Sequence, residues 1–516
     1  MKGSLISVLR VLLLRGLGVL ISLATAIGIA FQFGAGPLTD AFFLVRRTFG
    51  SLALLIETVS NVLLVPVLVK RAQARATGDY LRDQRRSEWR VFVAGAAVGG
   101  LILWAAPWLV AVIAPGLPAE ASEAAAVYFT LMALTLPFTC TTAFVGSALT
   151  AIRQFSISVA VKLLPRVLIL LAILLVPLGF GMTAVVVAAV LGHVVMLLAL
   201  MMLRRRIEKQ DAAREPVVTS KPGSTPERAG TMVVIAIYSL AVTISESYAA
   251  SFAGVGAIAI LALGQRISTL GVSEMLNSVL NVYYTNFSEL DATPDAYRTE
   301  VQAAMRTAFF LIAPLTLCLA VLASDLAQLT LANGAFSEDA ARQAGQLVAW
   351  FAMAALANTG VSVLETAILA RSERHMTRHF LVASATVWAL RIAAIVVLLP
   401  HLGVAAIGAA AVLGPIVMFL WHNAYCARKL GAMIDTRLMY DLARVFVPAA
   451  VTAVLCAVLA SSIPADPSKF RQAITLVFAF AVAVPTYLAL CQILGVQDAR
   501  TMISALKGRL GKMAKR

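Results

Sequence analysis

The chain has 516 residues, of which 60% are hydrophobic and only 13% are charged. So small a charged fraction cannot cover the surface of a soluble globule of this size, which excludes that class and puts most of the apolar material against lipid or against other helices in lipid. The 42 Lys and Arg outnumber the 26 Asp and Glu to give a net charge of +16, a balance that would point to nucleic acid in a soluble protein.

Position excludes that partner. The basic clusters lie between Lys70 and Arg90, between Arg204 and Arg228, between Arg371 and Arg378, and in the tail from Arg500 to Arg516, while the alternate gaps contain only Arg342, Lys469 and Arg471. Such alternation marks the cytoplasmic loops of a membrane protein.

At roughly 20 apolar residues per crossing, the sequence predicts an all-α polytopic protein of about fourteen transmembrane helices. They lie near 5–33, 38–69, 91–115, 124–151, 156–178, 182–203, 232–253, 257–285, 306–332, 344–370, 379–400, 403–425, 443–464 and 471–494. Arg10 and Arg15 interrupt the first apolar run, which is also too long for a signal-peptide core, so it is read as a retained span. An even count puts both termini in the cytoplasm.

The charged stretch 204–231 contains Pro, Ser and Thr and reads as a cytoplasmic linker between an N-lobe over 1–203 and a C-lobe over 232–425. Residues 426–516 then hold the last two helices and a basic tail. The lobes resemble each other: Ala188–Gly192 recurs as Ala410–Gly414, and Glu57-Thr-Val-Ser-Asn-Val-Leu63 faces Glu274-Met-Leu-Asn-Ser-Val-Leu280. Six helices per copy predict two pseudo-symmetric six-helix lobes pointing the same way, with a cavity between them and two C-terminal helices outside the repeat.

Ionisable residues within the spans are the candidate functional groups, because a charge facing lipid at mid-depth costs roughly 2.5–3.5 kcal/mol on the insertion scale. Arg10 and Lys162 lie near helix ends and can snorkel. Arg46, Arg47 and Arg266 lie deeper, in the two helices that carry the repeated acids. They line an anion site, or they form internal ion pairs, Arg46 or Arg47 with Glu57 and Arg266 with Glu274. The separations, eleven residues from Arg46 to Glu57 and eight from Arg266 to Glu274, put each of these pairs on one face without contact. Arg15 and Arg166 could line the lower part of the same space. Asp40, Glu57, Glu246, Glu274 and Glu365 are the candidate gate or ion-coupling acids, Asp40 being read either as the cap of its own helix or as a gate contact.

Five cysteines (Cys140, Cys318, Cys426, Cys456, Cys491) and five scattered histidines show no ligand spacing, so neither metal nor cofactor is predicted. No phosphate-binding loop, Ser/His/Asp set or HExxH stands in the chain, which argues against an ATPase and a membrane enzyme.

The first hairpin carries the most specific string. Leu14-Arg15-Gly16-Leu17-Gly18, then Phe33-Gly-Ala-Gly-Pro-Leu-Thr-Asp40-Ala-Phe-Phe43 and Val65-Pro66, resembles the MurJ/MviN lipid II flippases of the multidrug/oligosaccharidyl-lipid/polysaccharide exporter superfamily. Ala148-Leu-Thr-Ala-Ile-Arg-Gln-Phe155-Ser is similar to that family's link between helices four and five. The resemblance implies two rocking lobes and movement of a polyprenyl-diphosphate-linked glycan from the inner to the outer leaflet of the bacterial cytoplasmic membrane. Lipids and envelope-synthesis enzymes are then the implied partners. Arg15, Asp40 and Arg266 match family positions. Ile21 stands where the family has a second arginine, and Gly50-Ser-Leu-Ala53 replaces its Asn-Leu-Leu-Arg-Arg stretch, so a lipid-linked glycan other than lipid II is an open alternative. A cation-coupled multidrug exporter and a non-transporting scaffold are the other readings.

Overall fold

The computed structural model describes residues 2–73, 77–152, 154, 159–210, 226–269, 271–289, 294–371, 375–431, 433–461 and 469–502. Helix accounts for nearly all of them, and no strand occurs among the described residues. Lipid requires this, since a helix satisfies its backbone groups within itself. Among the described residues, eleven helices are long and apolar enough to cross a membrane, or twelve if Ala119–Ala133 and Leu136–Ala151, bent by 42°, form one span.

The other two predicted crossings are interrupted. The fifth contains an Leu164–Leu174 helix and a 3-10 turn at Val176–Leu178. The eighth is split into Ala257–Ser268 and Val272–Glu289. Gly271 has φ +75° at that split, a left-handed conformation that ends helices and that glycine adopts without steric penalty. Arg266 and Glu274 therefore do not share one continuous helix, and their common face, inferred from a spacing of eight, is lost.

The chain divides into two compact units. The first comprises residues 1–262, 333–337 and 375–385; the second comprises 263–332, 338–374 and 386–516. The division falls within the Ala257–Ser268 helix, so the Pro226–Ser251 helix, assigned by sequence to the second lobe, groups with the first unit. Residues 211–225 of the predicted linker and 503–516 of the tail lie outside the described residues.

In the first unit the Pro37–Val59 helix packs against Ala119–Ala133 and Pro226–Ser251, and Met182–Gln210 packs against Leu164–Leu174. Gly192 makes the last contact close: a Cβ there would stand 2.5 Å from the Cα of Pro165, as small-residue packing between membrane helices requires. Leu68, Tyr80, Phe144, Leu149 and Leu200 form a buried cluster. Beside it Arg204 binds Glu88, while Arg82 and Arg85 reach Glu208 at 3.2 and 3.0 Å.

In the second unit the Pro294–Val321 helix packs against Glu338–Arg371 and Thr436–Ser461. Phe310 meets Tyr487 of the last helix, Lys469–Ile493, with ring centroids 5.5 Å apart, and the Tyr487 hydroxyl donates to the Phe310 carbonyl at 2.9 Å. Arg298 and Arg306 add ion pairs to Asp435 at 2.6 Å and Asp441 at 2.8 Å. The Leu438 N–H and the Arg298 charge hold the Asp435 carboxyl below the usual carboxylate range. The two C-terminal helices are thereby fixed to the second unit by rings and charges together.

Candidate substrate and gating site

The Pro37–Val59 helix presents Asp40, Arg47 and Ser51 at offsets of seven and four residues, which places all three on one helical face. That face meets the segment 226–262. Asp40 is buried and accepts the Gly256 N–H at 2.6 Å and the Ala259 N–H at 2.8 Å. It therefore caps the Ala257–Ser268 helix rather than its own, whose first turn is tied by Thr39: the Gly36 N–H donates to the Thr39 hydroxyl at 2.7 Å. Gly256 takes φ +84°, and a Cβ there would come within 2.9 Å of the Ala35 carbonyl oxygen. Glycine is what admits this approach.

Two turns along, Arg47 Nη2 donates to Glu246 Oε2 at 2.8 Å, with the two side chains only 11% and 5% exposed. Arg47 thus has an ion-pair partner, but on a different helix from Glu57. One turn further, the Ser51 hydroxyl donates to Thr243 at 2.9 Å. Arg46 turns back so that its guanidinium carbon lies 5.6 Å from the centroid of the Phe42 ring, within cation–π range.

Glu57 lies on another face and binds Lys162, with the side chains 40% and 37% exposed. Lys162, expected to snorkel, meets this carboxylate. Just beyond Glu57 the helix makes a π turn at Ser60–Leu64, where Asn61 accepts from the Ser147 hydroxyl at 3.0 Å. Insertions of this kind rotate the following residues and often mark functional positions. Arg166 is exposed, and its Nη1 donates to the Gly18 carbonyl at 3.1 Å.

The second unit holds Arg266, Glu274 and Glu365. Arg266 is half-buried in the last turn of Ala257–Ser268, and Glu274 is half-buried in the first turn of Val272–Glu289. Glu365 lies 3.5 Å from Nε2 of the fully buried His422. Arg15 belongs to the Lys2–Phe33 helix, with its side chain outside the described residues. Asp40, Arg47 and Glu246 are thus brought to one helix pair, and Glu57 to a neighbouring one.

The family model of the lipid II flippase MurJ matches residues 29–478, well over half of the chain. The chain belongs to the MurJ lipid II flippase family. It is thus a multi-pass protein of the bacterial inner membrane and a transporter of the flippase type. A MurJ structure in an inward closed conformation superposes with a TM-score of 0.73 at 13% identity, over 95% of this chain and 99% of that one. An inward-facing multidrug transporter of the MATE family gives 0.62 at 16% identity, over 81% and 95% of the two chains. A transporter of the same superfamily from Pyrococcus furiosus gives 0.55 at 15% identity, over 83% and 96%. At these identities the likenesses show the fold that MurJ shares with its superfamily. No curated protein sequence matches the chain.

Against the MurJ pattern, the structure shows what stands at the two departures. Ile21 is half-buried, and its carbonyl accepts the Thr25 hydroxyl at 2.7 Å. In the Gly50–Ala53 stretch, Ser51 supplies the bond to Thr243. Sequence reasoning missed Thr243 and His422 as partners, and it did not find the pair of Lys162 with Glu57. The spacing of Asp40, Arg47 and Ser51 was the available signal for the polar face. Nothing in the local sequence of Glu246 names a partner 199 residues away.

Proposed function

We propose that this chain moves a polyprenyl-diphosphate-linked glycan, lipid II or a related lipid-linked oligosaccharide, from the cytoplasmic to the outer leaflet by alternating access. The observation that carries this reading is the family match over residues 29–478. In it Arg15, Arg46, Arg47, Arg166 and Arg266 meet the diphosphate, whose oxygens suit the planar fork of guanidinium donors. The prenyl tail stays in lipid. Asp40 and Glu246 act as gate acids, because the bonds of Asp40 to Gly256 and Ala259 and the pair of Glu246 with Arg47 join the Pro37–Val59 helix to the 226–262 segment, and Glu57, Glu274 and Glu365 are the acids for ion coupling. Both termini lie in the cytoplasm, where the basic loops favour them, and enzymes of envelope synthesis supply and consume the lipid.

Mass spectrometry of lipids retained by the gently purified protein tests the reading. A polyprenyl-diphosphate saccharide enriched over bulk phospholipid is the expected result. Phospholipid alone, with altered drug sensitivity on depletion of the protein, would favour a multidrug exporter instead.

A further inference from the structure

Arg47 is held by only part of its guanidinium. Nη2 donates to Glu246, whereas Nη1 is buried and has no hydrogen-bond acceptor. A guanidinium commonly meets a carboxylate or phosphate with two parallel donors, and a buried donor left unfilled calls for an explanation. The half-filled fork has one anionic oxygen in place and a second donor to spare. One turn along the same helix pair, Ser51 and Thr243, four residues from Arg47 and three from Glu246, bond to each other at 2.9 Å.

We propose that Glu246 is the resident counter-ion of the headgroup site, a carboxylate that keeps Arg47 neutralised between transport events and yields it to a phosphate oxygen of the lipid diphosphate. This rests on the function proposed above. Carboxylate and phosphate oxygens compete for the same donors, and Glu246 as placed fills Nη2 with Oε2 alone, so a phosphate that meets the fork with two oxygens fills both Nη2 and Nη1 where Glu246 fills one. The exchange keeps Arg47 paired with an anion at both stages, and the carboxylate it frees favours the return of Arg47 once the headgroup leaves. Glu246 is a positioning residue here: it acts through Arg47, and its return to Arg47 helps expel the headgroup.

Binding of geranylgeranyl diphosphate to the purified full-length protein, followed by transport in proteoliposomes, tests this. Glu246→Gln removes the competitor, so the probe should bind about tenfold more tightly while maximal transport falls, lowering KM and kcat together. Glu246→Asp, which keeps the charge but withdraws it by a methylene, should fall between wild type and Glu246→Gln, and it serves if the Gln variant does not fold. In an Arg47→Ala background the substitution at 246 should no longer change affinity. A pair with only a structural role predicts unchanged or weaker binding in both Glu246 variants, and that result overturns the proposal while leaving the flippase reading standing. If the wild-type protein binds no prenyl diphosphate, both readings fall together.

Discussion

The two helices that carry the repeated acid interrupt themselves differently. The one beginning at Pro37 runs as a span of 36 residues to Ala72 and absorbs a π turn at Ser60–Leu64, just after Glu57. Its counterpart stops at Ser268 and restarts at Val272, just before Glu274. The shared Glu-x-x-[Ser/Asn]-[Ser/Asn]-Val-Leu motif therefore does not itself dictate where a helix breaks. Three residues before each acid the first copy has Leu54 and the second has Gly271, and only glycine adopts φ +75° there without penalty. A second difference follows. The first helix keeps one unbroken face for Asp40, Arg47 and Ser51, whereas in the second a break separates Arg266 from Glu274.

The strongest way to sharpen this comparison is to remove the charge that the unbroken helix buries. Arg47→Ala breaks the buried pair with Glu246 and should destabilise the fold by about 3–5 kcal/mol, read as a large fall in the thermal melting temperature of the detergent-solubilised protein. An unchanged melting temperature would mean that the pair is not buried as described. Asp40→Ala comes next: it strips the acceptor from the Gly256 and Ala259 N–H groups and should cost about 2 kcal/mol, with Asp40→Asn costing less because one acceptor oxygen remains.

Two glycine substitutions should then differ in sign. Gly271→Ala forces an L residue into the left-handed region and should destabilise by about 1 kcal/mol. Gly50→Ala lies within the regular part of the first helix with nothing within 4 Å of the added Cβ and should stabilise by up to about 1 kcal/mol. Equal effects of the two would contradict the contrast between the helices. The smallest effect belongs to Glu57→Gln, whose pair with Lys162 is half-exposed; its stability change should stay within about 1 kcal/mol.

Much of the fold was legible because lipid enforces it. Apolar run length and alternating basic loops located the membrane crossings, and the crossings that fell short are those with Pro165 opening a short helix, Gly271 ending one, or a bend before Pro137. A hydropathy reading averages over such breaks, which is why about fourteen continuous helices were predicted. The site was legible only in part. An acid or base within an apolar run announces itself, so Asp40, Arg47, Glu57 and Glu246 could be singled out, and the spacing of the first two places them on one face. Their partners could not be found the same way. Sequence offers Arg47 only partners on its own helix, such as Glu57 as one alternative, because it shows only local geometry; the actual partner depends on how the Pro226–Ser251 helix packs. The Lys162 pair is hidden for the same reason, since nothing in its own segment reveals that Glu57 stands opposite.

The central claim is that a diphosphate-linked prenyl lipid crosses the bilayer through this protein by way of arginines submerged in its helices. Its most direct test is translocation of a fluorescent polyprenyl-diphosphate disaccharide in proteoliposomes, comparing wild type with a doubly substituted Arg47→Ala, Arg266→Ala protein that retains its fold. The account predicts transfer to the opposite leaflet by the wild type and its near-complete loss in the variant; equal transfer by both would contradict it.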